Sequence, residues 1–352
     1  MDQSTLHKGR GAQINTFNQF HKHQLDKAED TGIDEWEERA APTVYIEEYA
    51  KTLVNKVDSP DLHFDYSMNP YSGCEHGCIY CYARNAHEYH GFSAGIDFES
   101  KIIVRRNAPQ LLHDFLMRPS WEPAPIMLSG NTDCYQPAEQ TYRLTRQLLE
   151  VCLRFKQPVN IITKNAGVLK DLDVISELAR LKLVSIVLTI TSLDEKIRRV
   201  MEPRTTTAKQ KFETMRQLAE AGIRVGVMIG PVIPGLTDHE ISSILEKASH
   251  NGASFSAYTF IRLNGVLPLI FHDWLLRQFP DRAGKIWHLI EQSHGGKVND
   301  TRWGMRMKGE GPVATMIAQQ FKKFSARFGL NGTNWHPDTS QFCRPGEQLK
   351  LF

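Results

Sequence analysis

The stretch Tyr71-Ser-Gly-Cys-Glu-His-Gly-Cys-Ile-Tyr-Cys-Tyr-Ala-Arg84 places three cysteines, Cys74, Cys78 and Cys81, within eight residues. The remaining cysteines of the chain stand far apart, at positions 134, 152 and 343. A secreted disulfide framework in a chain of 352 residues would not concentrate half of its cysteines in one short loop. We therefore expect reduced thiols that hold a metal centre.

The number of thiols distinguishes two kinds of metal centre. A structural zinc ion needs four ligands, so it would have to recruit Cys134, more than fifty residues farther along the chain, or a histidine such as His76 or His87. A 4Fe-4S cluster held by three thiolates instead leaves one iron without a protein ligand, which a reactive cluster needs. We favour the cluster and keep zinc as the alternative.

The region after the cysteines alternates between short apolar runs and longer amphipathic runs. The predicted strands are 64–68, 124–130, 159–163, 184–191, 223–229 and 255–261, and the predicted helices are 138–155, 173–181, 209–221 and 237–249. This alternation implies right-handed crossovers and a parallel sheet. About six such units are too few to close an eight-stranded barrel, which leaves a partial barrel or an open doubly wound sheet. Both folds place their ligand site at the carboxyl ends of the strands.

The chain divides into three regions by composition. Residues 1–41 are polar and weakly periodic, which predicts an extended or partly disordered arm. Residues 42–262 contain the alternating core, and residues 263–352 form a helical extension, with helices predicted at 272–278, 285–292 and 313–328. The apolar runs are far shorter than the ~18 residues of a membrane span, and the start lacks the apolar core of a secretion signal. We therefore expect a cytoplasmic protein that does not contact membranes.

Charge is unevenly distributed, although the net charge is only +2. Acidic residues concentrate in 26–48 and basic residues in 297–327. The basic segment is either a solvated face or a surface for phosphates, and the sequence leaves both interpretations open. Trp303 within it would suit base stacking, whereas Phe321, Phe324 and Phe328 have the spacing of a helix core.

The spacing of the three cysteines, with Tyr80 directly before the last of them, resembles the signature of the radical S-adenosylmethionine (radical SAM) superfamily. The resemblance implies a 4Fe-4S cluster whose open iron chelates the amino and carboxylate groups of S-adenosylmethionine. One-electron reduction then gives a 5'-deoxyadenosyl radical. It also implies a partial (β/α)6 TIM-like barrel for the core, with the cysteine loop at the carboxyl rim of the sheet.

Polar residues follow the predicted strands at that same rim. Asp133, after the second strand, is suited to the amino group of the cosubstrate, and Lys164, after the third, to its carboxylate. An apolar strand end around Ile229 would receive the adenine. The candidate cofactor-binding residues are Tyr80, Asn131, Thr132, Asp133, Lys164, Thr189, Thr191 and Ile229. The alternative interpretation is that Lys164 faces solvent and that the threonines are ordinary strand residues.

The cysteine loop further resembles that of the spore photoproduct lyase group, in which tyrosines also flank the third cysteine. The runs Asn69-Pro-Tyr-Ser-Gly-Cys74 and Thr132-Asp-Cys-Tyr-Gln-Pro137 resemble a photolyase-like subgroup of unknown substrate. The resemblance implies that Tyr80 lies near the cosubstrate and that Tyr82 helps to return a hydrogen atom. The family has a hydrogen-donating cysteine where this chain has Gly130 and Asn131. Cys134 is therefore either a substitute donor or a small residue that packs near a helix start.

These features predict a lyase-like radical SAM enzyme that acts in DNA repair or nucleic-acid modification. It would need an electron donor such as flavodoxin or ferredoxin. The alternatives are the same chemistry on a peptide or tRNA, and a non-catalytic zinc or iron-sulfur protein that binds nucleic acid.

The last residues of the chain are Gln348-Leu-Lys-Leu-Phe352. They are similar to the peptides with which bacterial repair proteins bind the sliding clamp, with Gln348, Leu349, Leu351 and Phe352 as anchors. An apolar C-terminus that packs on its own domain is the alternative.

Overall fold

The computed structural model describes residues 7–18, 20, 42–62, 64–331 and 335–346. The strands are β1 (Val44–Glu48), β2 (Val54–Lys56), β3 (Tyr66–Met68), β4 (Tyr71–Ser72), β5 (Lys101–Arg105), β6 (Ile126–Leu128), β7 (Val159–Thr163), β8 (Val184–Thr189), β9 (Arg224–Val232) and β10 (Phe255–Phe260). The α-helices are α1 (Ile96–Ser100), α2 (Ala108–Leu116), α3 (Glu139–Tyr142), α4 (Leu144–Phe155), α5 (Leu172–Arg180), α6 (Glu195–Met201), α7 (Ala208–Glu220), α8 (Ile241–His250), α9 (Leu267–Gln278), α10 (Pro280–Gln292) and α11 (Gly311–Arg327). Short 3-10 helices occupy Tyr82–His90, Ala166–Asp171, Asp238–Glu240 and Thr339–Gln341.

The main sheet has seven strands in the order β10-β9-β8-β7-β6-β3-β2. Its six strands from β3 to β10 are parallel and follow one another in chain order, and β2 joins β3 antiparallel. A doubly wound sheet would reverse its order at a switch point, whereas sequential order is that of a barrel. The partial barrel with six parallel strands is therefore confirmed, and all six carboxyl ends lie at one rim.

Alternating side chains explain how this sheet holds its helices. In β7, Val159, Ile161 and Thr163 are buried, while the residues between them are partly exposed on the opposite face. The helix α5 buries Val174, Ile175 and Leu178, the three residues that its period predicts. The core therefore lies between the sheet and the surrounding helices.

Two predicted elements differ from the structure for local backbone reasons. The helix predicted at 138–155 is divided into α3 and α4 because Arg143 has a positive φ of 49°. The strand predicted at 124–130 ends at Leu128, since Ser129 has a φ of 72°. A left-handed backbone conformation costs free energy for residues other than glycine. Neither arginine nor serine is a residue type from which this conformation could be predicted.

A second, three-stranded sheet of order β1-β5-β4 lies outside the predicted pattern. Its strands β1 and β5 pair in parallel, and the two-residue strand β4 pairs antiparallel with β5. Because β4 immediately precedes the cysteine loop, this small sheet fixes where that loop begins. Of the polar arm predicted at 1–41, residues 7–18 and 20 are described; the acidic residues 26–41 fall outside the described residues.

The C-terminal extension covers the free edge of β10. Phe260 N donates to Met307 O (2.9 Å), and Ser256 N donates to Leu330 O (3.0 Å). Arg306 in turn forms an ion pair with Asp61, in the connection between β2 and β3. The extension thus bridges the two edges of the open sheet and protects a strand edge that would otherwise be exposed. In the described part of the chain, no helix has the length and apolarity needed to cross a membrane.

Candidate functional site

The three cysteines lie on one loop between β4 and the 3-10 helix at Tyr82–His90. Cys74 and Cys78 are buried and Cys81 is partly exposed, and all three are free thiols. Burial raises the pKa of each thiol, and the neighbouring thiols at Cys78 and Cys81 raise that of Cys74 further. The sulfurs are therefore close enough to repel one another as thiolates. A positively charged metal centre would remove that cost, so these residues fit an iron-sulfur cluster.

The two histidines that a zinc ion would recruit lie in different surroundings, and both ring nitrogens of His87 are buried without a hydrogen-bond partner among the described residues. His76 Nε2 contacts Asn165 Nδ2 at 3.2 Å, and its Nδ1 lies 3.4 Å from Asp133 Oδ2. The ring of His87 packs between Phe92 and Phe98. Within the described ranges, no three His, Cys, Asp or Glu side chains converge on a single ion. Three thiolates on a 4Fe-4S cluster bind three different irons and need not converge on one point, so this arrangement favours the cluster over a single zinc ion.

A buried ion pair supports the cysteine loop from behind. Arg84 is fully buried, donates from Nε to Cys78 O (3.0 Å) and pairs with Glu99 Oε1 at 2.5 Å. Glu99 also accepts hydrogen bonds from the backbone N–H groups of Gly11 and Ala12, both at 2.8 Å. Both charges are thus compensated, as buried charges must be. The sequence analysis did not identify this pair.

The N-terminal segment 7–18 lies directly on the cysteine loop. A Cβ atom on Gly11 would stand 1.8 Å from Gly77 O, so only glycine fits this approach. Gly77 itself has a φ of +66°, in the region that favours glycine. Composition predicted an extended arm here, and gave no signal that part of it covers the loop.

Asp133 connects the rim of the sheet to the cysteine loop. It accepts hydrogen bonds from Thr163 Oγ1 and Lys164 N, each 2.7 Å long, and from Tyr135 N (2.9 Å), and it also contacts His76 on the loop. Burial raises the pKa of Asp133, but His76 and these hydrogen bonds outweigh it and hold the pKa at about 2. The carboxylate is therefore ionised at neutral pH and available to a cationic group.

A second carboxylate, Glu202, organises the opposite side of the loop. It accepts hydrogen bonds from the hydroxyl of Tyr80 and from Thr191 Oγ1 (2.6 Å), and it lies 3.6 Å from Lys211 Nζ. Burial raises its pKa, but Lys211 and Lys164 outweigh burial and lower the pKa to about 2. The sequence analysis identified Tyr80 and Thr191 but missed Glu202 and Lys211. Neither residue follows a strand, which was the signal we used.

Lys164 lies between the two carboxylates. Its Nζ is 5.8 Å from the centroid of the Tyr80 ring. Burial lowers the pKa of Lys164, but Glu202, the Cys78 thiol and Asp133 outweigh burial and raise it above its usual value. The structure thus brings Tyr80, Asp133, Lys164 and Thr191 together beside the cysteines.

Other candidate residues have structural partners. Thr132 is buried and donates to Tyr71 O (2.7 Å), while the backbone of Asn131 donates to Asn69 Oδ1 (2.9 Å). Thr189 is buried on β8, opposite Met228 of β9. Ile229 is fully buried in the core, on the strand face opposite that of partly exposed Met228.

The two candidate hydrogen donors differ in access. Tyr82 is 53% exposed, and its hydroxyl donates to Gly130 O (2.5 Å) at the carboxyl end of β6. Cys134 is fully buried within the hydrophobic core, and its backbone N–H donates to Ser129 Oγ (2.8 Å). This placement favours packing as the role of Cys134.

Gln136 is a further residue that the sequence analysis missed. Its Oε1 accepts from Glu75 N and its Nε2 donates to Gly73 O, both at 3.1 Å. Gln136 thereby fixes the start of the cysteine loop against the segment that follows β6. Gln136 lies within the run Thr132-Asp-Cys-Tyr-Gln-Pro137 that carried the resemblance, but the run alone did not indicate this contact with the loop.

Comparisons with known proteins agree with the geometry. A family model described as "Radical SAM superfamily" matches residues 68–248. An uncharacterised protein of Mycobacterium tuberculosis, Rv2578c, is 33% identical over 251 residues, which is 70% of this chain and 74% of that protein. The uncharacterised protein MJ0683 of Methanocaldococcus jannaschii is 28% identical over 54% of this chain and 68% of its own. Spore photoproduct lyase complexed with dinucleoside spore photoproduct shares the fold, with a TM-score of 0.58 and 15% identity, over 81% of this chain and 79% of that chain.

Proposed function

The chain belongs to the radical SAM superfamily, whose members use a 4Fe-4S cluster and S-adenosylmethionine, and on this premise we propose that it acts on a nucleic-acid base or lesion. Cys74, Cys78 and Cys81 hold the cluster. When bound and reduced, a 4Fe-4S cluster would supply one electron to the sulfonium of S-adenosylmethionine, and cleavage of the carbon-sulfur bond would give methionine and a 5'-deoxyadenosyl radical. The observation that carries the proposal is the loop of three neighbouring thiols at the carboxyl rim of a six-stranded partial barrel.

The charged residues beside the loop orient the cosubstrate. Lys164, which stays protonated, binds the carboxylate, and Asp133, which stays ionised, lies within reach of the amino group. Glu202 holds the hydroxyls of Tyr80 and Thr191 in place. Thr189 and Thr191 face the ribose, and Ile229 supports the strand end against which the adenine lies. Fixed, oppositely charged groups orient a zwitterion before any bond is broken.

Two observations support a nucleic-acid substrate. Spore photoproduct lyase, which shares this fold, has been solved with a dinucleoside spore photoproduct and with bound AdoMet. The C-terminal extension carries Lys308, Lys322 and Lys323, which enter no ion pair with the described residues. Tyr82, exposed at the end of β6, is suited to relay a hydrogen atom to the product, in a lyase-like reaction.

Radical SAM enzymes need a reductant, and flavodoxin or ferredoxin would serve this one in the cytoplasm. The clamp-binding peptide proposed for Gln348, Leu349, Leu351 and Phe352 falls outside the described residues and stays a prediction.

The test follows deuterium from the substrate into 5'-deoxyadenosine. Reconstituted, reduced protein is incubated with S-adenosylmethionine and, in turn, with UV-irradiated DNA, undamaged DNA, tRNA and a peptide mixture, each of them perdeuterated. We expect DNA to accelerate 5'-deoxyadenosine formation and to transfer deuterium to it, measured by mass spectrometry. Transfer from peptide or tRNA alone would contradict a DNA substrate, and absence of transfer from every nucleic acid would contradict the proposed substrate class.

A further inference from the structure

The bridge between the two edges of the sheet presents an exposed aromatic ring and a cation that makes no hydrogen bond or ion pair with the described residues. Arg306 and Met307 belong to this bridge, since Met307 O accepts from Phe260 N and Arg306 pairs with Asp61. Arg262 follows β10, two residues after Phe260. The guanidinium groups of Arg262 and Arg306 are thus brought to the same place by one backbone hydrogen bond.

The carboxylate of Asp61, which attracts both guanidinium groups, is already engaged. Asp61 accepts from Arg306 Nε and from Gly304 N (2.6 Å), and Arg306 also donates to Ser59 Oγ (3.0 Å). Arg262 is partly buried, and it donates no hydrogen bond and joins no ion pair with the described residues. Its Nε is buried without a partner. A buried donor left unpaired is rare in folded proteins and points to a missing acceptor.

The exposed ring is that of Trp303. Its side chain is 53% exposed, and the guanidinium of Arg306 lies 3.6 Å from the ring centroid. Arg306 is itself held by Asp61, so one face of the indole rests on a fixed cation while much of the ring is open to solvent. Flat aromatic rings backed by a cation are the platforms on which unpaired nucleobases stack.

Three further buried polar atoms near the end of β10 lack partners among the described residues. They are Asn264 Oδ1, His294 Nδ1 and Asn299 Oδ1. His294 binds through Nε2 to Ile261 O (2.8 Å), the residue before Arg262, and both His294 and Asn299 line a polar cavity of about 320 Å³. Donors and acceptors concentrated in this way indicate a polar ligand and not an apolar one.

The position of this surface relative to the cysteine loop is also fixed. Asn85, in the 3-10 helix that follows Cys81, donates to Asn264 O (3.0 Å) and accepts from Val266 N (3.1 Å). The connection that begins with Arg262 therefore packs against the cysteine loop's own helix. A strand bound at Arg262 would thus lie on the connection that contacts this helix.

We propose that Arg262, Trp303 and Arg306 form a binding site for an unpaired nucleic-acid strand, in which a base stacks on Trp303 and Arg262 binds a backbone phosphate. This inference rests on the proposed function, because it places the proposed substrate. Lys308, exposed next to Met307, extends the positive surface along the strand. Phosphates supply the anionic acceptors that Arg262 lacks, and the indole stacks on any base.

The test measures the affinity of the reconstituted protein for a fluorescein-labelled single-stranded oligonucleotide by anisotropy. Trp303→Ala should weaken binding about 10-fold, and Trp303→Phe should retain most of it, because stacking needs an aromatic ring. Arg262→Gln should reduce the slope of log K against log salt concentration by about 1, since one phosphate contact is lost. Tyr49→Ala and Lys209→Gln remove an exposed ring and an exposed cation elsewhere, and should bind as the wild type does.

Wild-type affinity and salt dependence in both Trp303→Ala and Arg262→Gln would overturn the proposal. Equal weakening in the two control variants would overturn it too, because binding would then be general electrostatic attraction. Formation of 5'-deoxyadenosine without nucleic acid is measured on the same proteins and should be unchanged in all of them. If the wild type forms no 5'-deoxyadenosine, that result counts against the proposed function. The binding results, in contrast, test the surface alone.

Discussion

At the scale of single residues, Glu202 shows how this site combines burial with charge. Its carboxylate is 1% exposed and is surrounded by three hydroxyls, those of Tyr80, Thr191 and Thr205, and by the ammonium group of Lys211, which is itself buried. A buried ion pair of this kind adds little stability compared with apolar residues, but removing one partner leaves an uncompensated charge. Glu202 is therefore a positioning residue whose loss affects Tyr80, Thr191 and Lys211 together.

We expect Glu202→Gln to destabilise the protein by about 3 to 5 kcal/mol, because Lys211 would remain buried without its counter-charge. Urea unfolding of the metal-free protein measures this change. The double variant Glu202→Gln with Lys211→Met removes both charges and should recover part of the loss. A single variant as stable as the wild type would show that Lys211 has another partner.

The same residue predicts a dependence on pH. The pKa of Glu202 is about 2 in the folded protein, below the ordinary 4.5 of an unfolded chain. Its contribution to stability is therefore complete above about pH 5 and is lost as the pH falls from there toward 2. Between pH 5 and pH 3, the wild type should lose more of its free energy of unfolding than Glu202→Gln does. Parallel pH profiles for the two proteins would contradict the depressed pKa.

Residues that follow a strand could be predicted from the sequence, and residues that act through a partner could not. Asp133 and Lys164 were identified because parallel strands bring their carboxyl ends to one rim. Glu202 and Gln136 acquire their roles only from distant partners, at Tyr80 and on the cysteine loop. Ile229 lies on a strand that was predicted correctly, and its side chain is fully buried in the core.

At the scale of elements, the periodic strands and helices were predictable and the N-terminal segment was not. Segment 7–18 has no apolar period, and it is held by hydrogen bonds to Glu99 and by the contact of Gly11 with Gly77. These contacts of the segment are made by backbone N–H groups and a backbone carbonyl, which nearly every residue carries. Composition alone therefore cannot distinguish a docked segment from an unstructured one.

We expect Gly11→Ala to displace this segment, because the new Cβ would overlap Gly77 O. The loss of two hydrogen bonds to the buried Glu99 carboxylate should cost about 2 to 4 kcal/mol and expose the cysteine loop. Hydrogen exchange of the backbone amides from Gly73 to Arg84 measures the exposure. The matched control is Gly284→Ala in α10, where nothing lies within 4 Å of the added Cβ and the helix should gain about 0.5 to 1 kcal/mol. Unchanged exchange in Gly11→Ala would show that the segment does not protect the loop.

At the scale of the whole molecule, residues that are distant in the chain connect the two edges of the open sheet. The carboxyl ends of six strands supply one rim, and the extension from α9 onward joins β10 to the connection after β2. The sequence predicted the sheet and the helical extension but not their junction, because Arg306 and Asp61 are far apart in the chain and each is an ordinary surface residue type. Segment 7–18 lies on the cysteine loop, and the connection after β10 is hydrogen-bonded to the 3-10 helix that follows this loop.

The central claim is that Cys74, Cys78 and Cys81 hold a 4Fe-4S cluster with one iron open to S-adenosylmethionine. Electron paramagnetic resonance of the reduced, anaerobically reconstituted protein tests it most directly, with S-adenosylmethionine labelled with ¹⁷O in its carboxylate. Chemical analysis should give about four iron and four sulfide per chain. The spectrum should show hyperfine coupling between the labelled oxygen and the cluster. Cys78→Ala should lose the signal, and Cys343→Ala, outside the loop, should keep it. A cluster signal without oxygen coupling, or a signal that survives in Cys78→Ala, would contradict the account.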